Sequence, residues 1–329
     1  MANLIEKLIE KAKTHPKRVA LPECEAVKTL LAARHVLDSG IGFPVLVNDP
    51  AVIEATAKEA GVSLEGMELV DTTDGAAADA LVERYMTEPR LFSAKSARRK
   101  IGDPIYYAMV MEALGEVDCT FCGHTNTTGD VLMAARAIIG LAEGIDISSI
   151  MAIVEVSGFE GPEGDTIVFA DCGLNPEPTP DELASITISA CDAAKAILGW
   201  EPRAALLSFS TLGSGNSATV ERSRQAVEVV KDRRPDILVD GEFQLDAAII
   251  PAVAQTKLKR ESAVAGKANV LIFPDLNAAN IAVKLIQIFA KGKAFGHNLS
   301  GFAKPVADSS RGAKVEEMVG DIAMLILTA

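Results

Sequence analysis

Short apolar runs alternate with helix-like segments along most of this chain, and this alternation constrains the fold more than any other feature of the sequence. The runs at 18–22 and 43–47 have the length of strands. Each is followed by a segment with apolar residues at helical spacing, 25–39 and 50–60. Strands that are joined through helices run parallel, and a parallel sheet is covered by helices on both faces. The pattern therefore predicts an α/β fold with mainly parallel sheets.

The same alternation continues to the end of the chain. We expect further strands at 67–70, 117–122, 150–156, 166–170, 204–209, 237–240 and 269–273, and helices at 2–14, 75–87, 103–114, 130–140, 180–197, 217–232, 243–253, 277–290 and 315–328. The segments 150–156 and 166–170 are expected to pair as a hairpin-like edge. A chain of 329 residues is long enough for two domains, and we place a boundary near residue 146.

The charge and hydropathy of the chain limit its partners. A formal net charge of −13 argues against nucleic acid or an acidic membrane surface as the main partner. An anionic substrate would consequently need a local basic pocket. The apolar runs are too short to span a membrane and no signal peptide is recognisable, so we expect a cytoplasmic protein.

The five cysteines are scattered and odd in number, which argues against a disulfide framework and favours a reducing compartment. Cys119 and Cys122 have CxxC spacing, but no second cysteine pair completes a zinc site. We interpret the two cysteines as small buried residues, with a redox role as the alternative.

The stretch 304–317 is the strongest candidate for a functional loop. It leads into an apolar helix, whose first backbone N–H groups are unpaired and attract anions. Arg311 adds a planar fork of donors suited to phosphate or carboxylate, and Ser310 adds a hydroxyl. Glu317 adds a carboxylate that could accept a proton. The alternative is that the serine only caps the helix.

Polar turns also follow two predicted strands. The turn 123–130, with His124, comes after the strand at 117–122, and ligands bind at the carboxyl ends of such strands in open α/β sheets. His124 is a candidate ligand or proton carrier, with a structural role as the alternative. Asp275 precedes Asn277 and Asn280 after the strand at 269–273, where it is expected to cap a helix.

The segments 205–211, 264–277 and 304–312 resemble the phosphate acetyltransferase (phosphotransacetylase) family, as do 169–172 with 175–176, and 21–23 resembles it more loosely. The resemblance implies transfer of an acetyl group between acetyl phosphate and CoA in a ternary complex. It implies two three-layer α/β domains, like those of isocitrate and isopropylmalate dehydrogenases, with the active cleft between them. The last helix would return to the first domain, giving domain I at 1–146 plus 294–329 and an inserted domain II at 147–293. The resemblance also implies a homodimer.

The resemblance further implies roles for individual residues. Arg311 would bind phosphate, Ser310 would donate a hydrogen bond to the acetyl carbonyl as charge develops, and Glu317 would take the thiol proton of CoA. The other substrate-binding residues would be Ser309, Thr128, Arg136, Lys267, Asn277 and Asn280. No metal and no permanently bound cofactor are implied. Coenzyme A is a substrate, and the small-molecule partners are acyl-CoA, phosphate and acyl phosphate.

The sequence departs from the family pattern near the expected phosphate site. Met133 stands where the family has a phosphate-binding arginine, and Ala313 stands where it has a cysteine. We predict that Arg136, one helical turn after Met133, partly replaces the missing contact, with a surface ion pair as the alternative. A second family arginine matches either Arg84 or Arg90. These departures leave two alternatives open, a propanoyl- or butyryltransferase with an altered donor site and a catalytically weak homologue that binds CoA esters.

The sequence contains two further candidate binding features. The stretch 213–218 matches a GxGxxA dinucleotide fingerprint, but the resemblance implies CoA and not a nicotinamide nucleotide. A basic cluster is formed by Lys257, Lys259 and Arg260. We interpret this cluster as solvated surface, with a contact to the nucleotide phosphates of CoA as the alternative.

Overall fold

The computed structural model describes residues 4–88, 92–296 and 298–329. The chain divides into two compact units, the first formed by Met1–Ala142 with His297–Ala329 and the second by Glu143–Gly296. These limits lie a few residues from the expected domain boundaries, and the assignment of the units as domains stays a prediction. Within the described ranges, no helix combines the length and the apolar character needed to cross a bilayer.

Helices and strands alternate along both units. In chain order the elements are α1 Leu4–Ala12, β1 Lys17–Leu21, α2 Val27–Asp38, β2 Gly42–Asn48, α3 Pro50–Ala60, β3 Glu68–Asp71, α4 Gly75–Tyr85, α5 Ala94–Lys100, α6 Pro104–Ala113, β4 Cys119–Cys122, α7 Thr128–Ile138, β5 Ser149–Ile150, β6 Ala152–Glu155, β7 Thr166–Ala170, α8 Pro180–Leu198, β8 Arg203–Leu207, α9 Ala218–Arg233, β9 Leu238–Phe243, α10 Leu245–Ile249, α11 Pro251–Lys257, β10 Val270–Ile272, α12 Leu276–Phe289, β11 Lys293–Phe295, β12 Asn298–Ser300, β13 Val306–Asp308 and α13 Val315–Ile326.

In the first unit the strands follow one another across the sheet in the order β3-β2-β1-β4-β13-β12. The pairs from β3 to β13 are parallel, and β12 is antiparallel to β13. The chain builds outward from β1 to β2 and β3, and then returns to add β4 on the other side of β1. The loops after β1 and β4 therefore diverge at a topological switch point, where α/β sheets bind ligands.

The second unit has its own sheet, in the order β11-β6-β7-β10-β8-β9. Strands β7, β10, β8 and β9 are parallel, whereas β6 is antiparallel to β7 and β11 is antiparallel to β6. Strand β10 comes last of the four parallel strands in the chain but inserts between β7 and β8. The loops after β7 and β10 consequently meet at the same edge.

The predicted α/β class with mainly parallel sheets is confirmed, as is the antiparallel pairing of 152–155 with 166–170. The expected edge position of this pair was wrong, because β11 pairs with β6 on its outer side. The interpretation of 304–317 as one continuous loop was wrong, because Val306–Asp308 is a strand inside the first sheet. The helix expected at 243–253 is divided, since Pro251 starts a new helix and Ile250 is extended. The short strands β11 and β12 and the helix α5 were not predicted.

The closing helix α13 anchors the core of the first unit. Nine of its residues are buried, including Met318, Val319 and Ile322. Met318, Val319 and Ile322 pack in one cluster with apolar residues of β1 and α2. The helix begins directly after the loop that follows β13, so its burial fixes where that loop ends. Cys119 and Cys122 are fully buried in β4, which confirms the interpretation of the CxxC pair as small buried residues.

A carboxyl group is also buried beside β4. Glu112, on α6, has no exposed surface, and its Oε2 accepts a hydrogen bond of 2.6 Å from the Thr120 hydroxyl. Burial raises the pKa of Glu112 to about 8, although the Thr120 hydrogen bond and the charge of Lys304 oppose that rise. Glu112 is therefore protonated in the folded protein at neutral pH.

The raised pKa predicts how stability depends on pH. Between about pH 4.5 and pH 8 the folded chain keeps a proton on Glu112 that the unfolded chain releases, so the free energy of unfolding falls as pH rises. The free energy of unfolding falls by at most about 1.4 kcal/mol per pH unit through this group. Glu112→Gln keeps a carbonyl oxygen for Thr120 and removes the titration. Urea unfolding at pH 5.5, 7 and 8.5 should show the wild type losing stability relative to this variant. Parallel pH dependences of the two proteins would contradict the prediction.

Candidate active site

Three loops lie together at the carboxyl edge of the first unit's sheet, after β1, β4 and β13. The three strands are neighbours, and Phe121 and Cys122 of β4 align with Ala307 and Asp308 of β13. The backbone N–H of Ser309 extends this ladder by donating to the Cys122 carbonyl over 2.6 Å. The loop that begins at Ser309 is thus fixed against the loop that begins at Gly123.

Gly123 allows the two loops to approach. Its φ is +94°, and a Cβ there would lie 2.2 Å from Asp308 Oδ1 and 2.7 Å from the Ser309 nitrogen. Both the left-handed backbone and the lack of space exclude a side chain.

The serine and arginine of the loop differ in exposure. Ser309 is 3% exposed, and its hydroxyl has no hydrogen-bond partner among the described residues. Ser310 and Arg311 are exposed, and the Ser310 hydroxyl accepts from the Gly312 N–H over 3.3 Å. No ion pair of Arg311 occurs in the part of the chain that the structure describes, so its guanidinium is available to a ligand.

His124 contacts the same loop. Its Nδ1 lies 3.2 Å from the Ser310 carbonyl oxygen. A carbonyl only accepts, so Nδ1 carries the proton in this contact, and in the neutral ring Nε2 carries the lone pair. The contact gives His124 a structural partner. It therefore favours the structural role that was the alternative to a catalytic one.

Helix α7 begins beside this loop. Thr127 caps it by accepting from the Asp130 N–H, and the Thr128 hydroxyl donates to Asp308 Oδ2 over 2.6 Å. Hydrogen bonds from Thr127 lower the pKa of Asp130, and the positive charges of Lys100 and Arg311 lower it further. Two cations therefore lie near the amino terminus of α7, the end at which the helix dipole already favours an anion.

Glu317 has a defined local role. It is exposed in the first turn of α13, and its Oε2 accepts from the Lys314 N–H over 2.9 Å. This bond stabilises the start of the helix. The other carboxylate oxygen is left for a further donor, so capping and proton acceptance are compatible.

The expected compensation by Arg136 has a geometric difficulty. Met133 is 60% exposed in the middle of α7, and Arg136 is exposed in its last turn. Arg136 is eight residues after Thr128, which places it about 12 Å along the helix from the amino terminus. A cation in the last turn also interacts favourably with the helix dipole, which gives Arg136 a structural role.

Of the two candidates for the second family arginine, Arg84 lies away from the site. It pairs with Glu116, whose carbonyl accepts from Arg18 at the amino end of β1. Arg84 is thus at the opposite edge of the sheet from Ser310. Arg90 lies outside the described residues.

In the second unit, the loops after β7 and β10 form a polar edge. Buried Asp171 accepts from the backbone N–H groups of Ile150, Gly173 and Asn175. Asn280, on α12, donates to the Cys172 carbonyl over 3.4 Å. The loop after β7 is therefore organised around one buried carboxylate, Asp171.

The remaining predicted residues of the second unit divide between the two ends of β10. Asn277 is exposed in the first turn of α12, which Asp275 caps as expected by accepting from Ala278. Lys267 precedes β10, and its carbonyl accepts from Arg203 at the amino end of β8. The three residues of β10 separate the two positions by about 10 Å. The structure places Asn277 and Asn280 together at the start of α12, whereas Lys267 lies at the other end of β10.

The GxGxxA stretch is organised around another buried carboxylate. Glu242 accepts from the Gly213 N–H, the Ser210 hydroxyl and Arg224. Burial alone would raise the pKa of Glu242, but these hydrogen bonds lower it to about 2. The Gly213 N–H, which would face a pyrophosphate in a dinucleotide fingerprint, is already paired with Glu242. This pairing argues against dinucleotide binding.

The basic cluster is largely neutralised within the unit. Lys257 lies 2.8 Å from an Asp246 oxygen, and Arg260 lies 2.6 Å from an Asp240 oxygen. These ion pairs favour the interpretation as solvated surface.

Sequence reasoning missed two residues of the first unit's site. Glu23, after β1, is 2% exposed and binds the loop after β4. Lys100, at the end of α5, lies with its Nζ 5.0 Å from the centre of the Tyr106 ring and near Asp130. The resemblance carried by Leu21-Pro22-Glu23 does not single out Glu23, and the signal that could have found it is a carboxylate directly after a strand end. Lys100 carried no signal, because it is one of several cations on a short helix.

Among the described residues, no group of three or more histidine, cysteine, aspartate and glutamate side chains is arranged to hold a metal ion. The side chains described at this edge of the first unit are hydroxyls, cations and carboxylates near a helix amino terminus. Such groups suit an oxyanion or a phosphorylated substrate.

Comparison with known proteins identifies the family. The model of the phosphate acetyl/butaryl transferase family matches residues 3–326. The phosphate acetyltransferase of Clostridium acetobutylicum is 38% identical over 329 residues, which cover 99% of this chain and 98% of that protein. A phosphotransacetylase structure from Streptococcus pyogenes has a TM-score of 0.88 and 29% identity, covering 99% of this chain and 98% of its own. A structure from Salmonella typhimurium described as a putative 4-hydroxythreonine-4-phosphate dehydrogenase shares the fold alone, with a TM-score of 0.56 at 11% identity over 95% of this chain and 99% of its own. The chain therefore belongs to the phosphate acetyl/butaryl transferase family.

Proposed function

We propose that this chain transfers an acetyl group between acetyl-CoA and phosphate. The observation that carries the proposal is the loop of Ser310 and Arg311, fixed beside the amino terminus of α7 with an arginine that has no ion pair among the described residues. An exposed cation at a helix amino terminus suits the phosphoryl group of acetyl phosphate. The names of the similar proteins support the same reaction.

The proposed mechanism is direct transfer in a ternary complex. In the direction of acetyl-CoA synthesis, the CoA sulfur attacks the acetyl carbonyl carbon, the carbon–oxygen bond to phosphate breaks, and phosphate leaves. Arg311 binds the phosphoryl oxygens, Ser310 donates to the carbonyl oxygen as negative charge develops, and Glu317 accepts the thiol proton. Orientation of the two substrates contributes about 7–11 kcal/mol in well-aligned reactions of this kind.

The remaining predicted residues complete the proposal. Ser309 and Thr128 lie at the same edge as Ser310 and are proposed to bind the substrate phosphoryl group, whereas Asn277 and Asn280 are proposed to contact CoA. Arg136 and Lys267 stay predictions that the positions described above do not support. Coenzyme A is proposed as a substrate and not as a bound cofactor. A cytoplasmic location is also proposed, because all five cysteines are free thiols.

A longer acyl group is the second candidate. The family description includes butaryl transfer, and Met133 is exposed on α7 near the proposed site. A phosphate-dependent assay of acetyl-, propanoyl- and butanoyl-CoA cleavage separates the candidates. The highest kcat/KM with acetyl-CoA supports the proposal, preference for a longer chain supports the alternative, and no turnover with any of them would overturn both.

Arg311→Ala should lower kcat/KM for phosphate about 10²-fold, because a charged donor to the transferred group is lost. The fold should be retained, since Arg311 is exposed. Arg311→Lys should recover only part of the loss, because lysine keeps the charge but not the planar fork. Steady-state kinetics and thermal unfolding would be measured on the same samples.

The matched control is Arg98→Ala. Arg98 is an exposed arginine of the same unit that lies 3.6 Å from a Glu83 oxygen, outside the proposed site. It should leave both kinetics and unfolding unchanged. If Arg311→Ala behaves like this control, Arg311 does not bind substrate.

Glu317→Gln should lower kcat about 10²-fold while changing KM for CoA little, because it removes a base but keeps an oxygen for the Lys314 N–H. Glu316→Gln is the control, since Glu316 lies in the same helical turn and carries the same charge. Equal effects of the two variants would indicate a helix-dipole effect and remove Glu317 as the base.

We also propose that two copies of the chain associate through α12. Four large apolar side chains lie exposed on one face of this helix: Ile281, Leu285, Ile288 and Phe289. Phe289 is 79% exposed and Ile288 is 60% exposed. A contiguous apolar stripe of this kind is typical of an interaction surface, and a second copy supplies a matching stripe through two-fold symmetry.

Ile288→Glu should therefore convert a dimer into a monomer. Light scattering coupled to size exclusion at micromolar concentration should give twice the mass of one chain for the wild type and the mass of one chain for the variant. Phe43→Glu, a change at an exposed aromatic residue of the first unit, should remain dimeric. A monomeric wild type would rule out the proposed association.

A further inference from the structure

Glu23 occupies the switch point of the first unit's sheet. It follows β1, and β4 adjoins β1 in the sheet, so the loops after these two strands lie next to each other. Its side chain is only 2% exposed. A carboxylate buried to this extent is stable only where donors replace the water it has lost.

The donors come from the loop after β4. Glu23 Oε2 accepts from the His124 N–H over 2.7 Å, and Oε1 accepts from the N–H groups of Thr125 and Asn126 over 3.1 and 2.9 Å. The Asn126 side-chain amide adds a bond of 2.8 Å to Oε1. Three consecutive backbone amides converge on one carboxylate, an arrangement that binds anions in other loops. Here the protein supplies the anion.

The loop that Glu23 binds connects directly to two parts of the proposed site. At its first residue, the His124 ring contacts the Ser310 carbonyl. Directly after its last residue comes Thr127, which caps α7. A shift of this loop would consequently move both the Ser310 loop and the helix amino terminus.

We propose that Glu23 is a positioning residue, which fixes loop 124–126 so that the Ser310 loop and the amino terminus of α7 keep the spacing that transfer needs. By occupying the three amides, it also prevents a substrate anion from binding there in place of the productive site. The inference rests on the proposed acyl transfer but makes a separate claim about the backbone.

The test compares Glu23→Gln with Glu25→Gln. The glutamine at 23 keeps one acceptor but turns an amide donor toward backbone N–H groups, so the convergent set of bonds is lost. Glu25 is an exposed neighbour that accepts from the Thr125 hydroxyl over 2.7 Å and from no backbone N–H of this loop, and its change removes the same charge. Both variants would be assayed for kcat and KM and for hydrogen exchange of the amides 124–126.

Glu23→Gln should lower kcat about 10²-fold, the size expected for a misplacement of about 1 Å, with a smaller change in KM for CoA. Exchange at 124–126 should accelerate at least tenfold, and Glu25→Gln should change neither quantity by more than about threefold. The inference would be overturned if Glu23→Gln exchanged the amides 124–126 as slowly as the wild type does. It would also be overturned if exchange accelerated while kcat stayed at the wild-type value.

Glu23→Asp covers the case in which Glu23→Gln fails to fold. Aspartate keeps the charge, and it should restore exchange protection and kcat together, each in part. Restored protection without any recovery of kcat would overturn the positioning role. A wild-type protein without acyl transfer would contradict the proposed function instead, whereas the exchange comparison would still report whether Glu23 fixes the loop.

Discussion

The parallel pairing of β4 with β13 is the interaction on which the candidate site depends. The two strands are far apart in sequence, and His124 and Ser310, 186 residues apart, touch because the strands end at the same edge. Adjacent parallel strands place their following loops side by side, so the pairing of the strands is enough to bring the two loops together. Gly123 then allows the backbones to approach more closely than a side chain would permit.

Buried carboxylates at strand ends give these loops their shape. Glu23 in the first unit and Asp171 in the second each accept several hydrogen bonds from the backbone of a polar loop. Glu242 accepts one from the Gly213 N–H and others from the side chains of Ser210 and Arg224. An ionised group taken out of water is costly unless fully paired, so each carboxylate favours one arrangement of its loop over the alternatives. This explains how an acidic chain with a net charge of −13 can build ordered polar edges from its negative side chains.

The distribution of cations follows from the same principle. Arg84 in the first unit and Lys257 and Arg260 in the second are paired with carboxylates, so they are not available to an anionic ligand. Arg311 and Lys100 instead lie near the amino terminus of α7. A local basic pocket in an acidic protein therefore depends on which cations the carboxylates leave unpaired, and the amino-acid composition does not show this.

The sequence by itself determined the α/β class, the position of most elements and the Ser310–Arg311 loop. These depend on local periodicity, turn residues and short motifs that the chain carries regardless of its partners. Only the tertiary structure decided that Val306–Asp308 is a strand, because three residues carry too little periodicity and their state is set by pairing with β4. It also decided that Glu23 and Lys100 lie at the site and that Arg84 does not. The contacts of a polar side chain depend on the elements packed around it, and those come from distant parts of the chain.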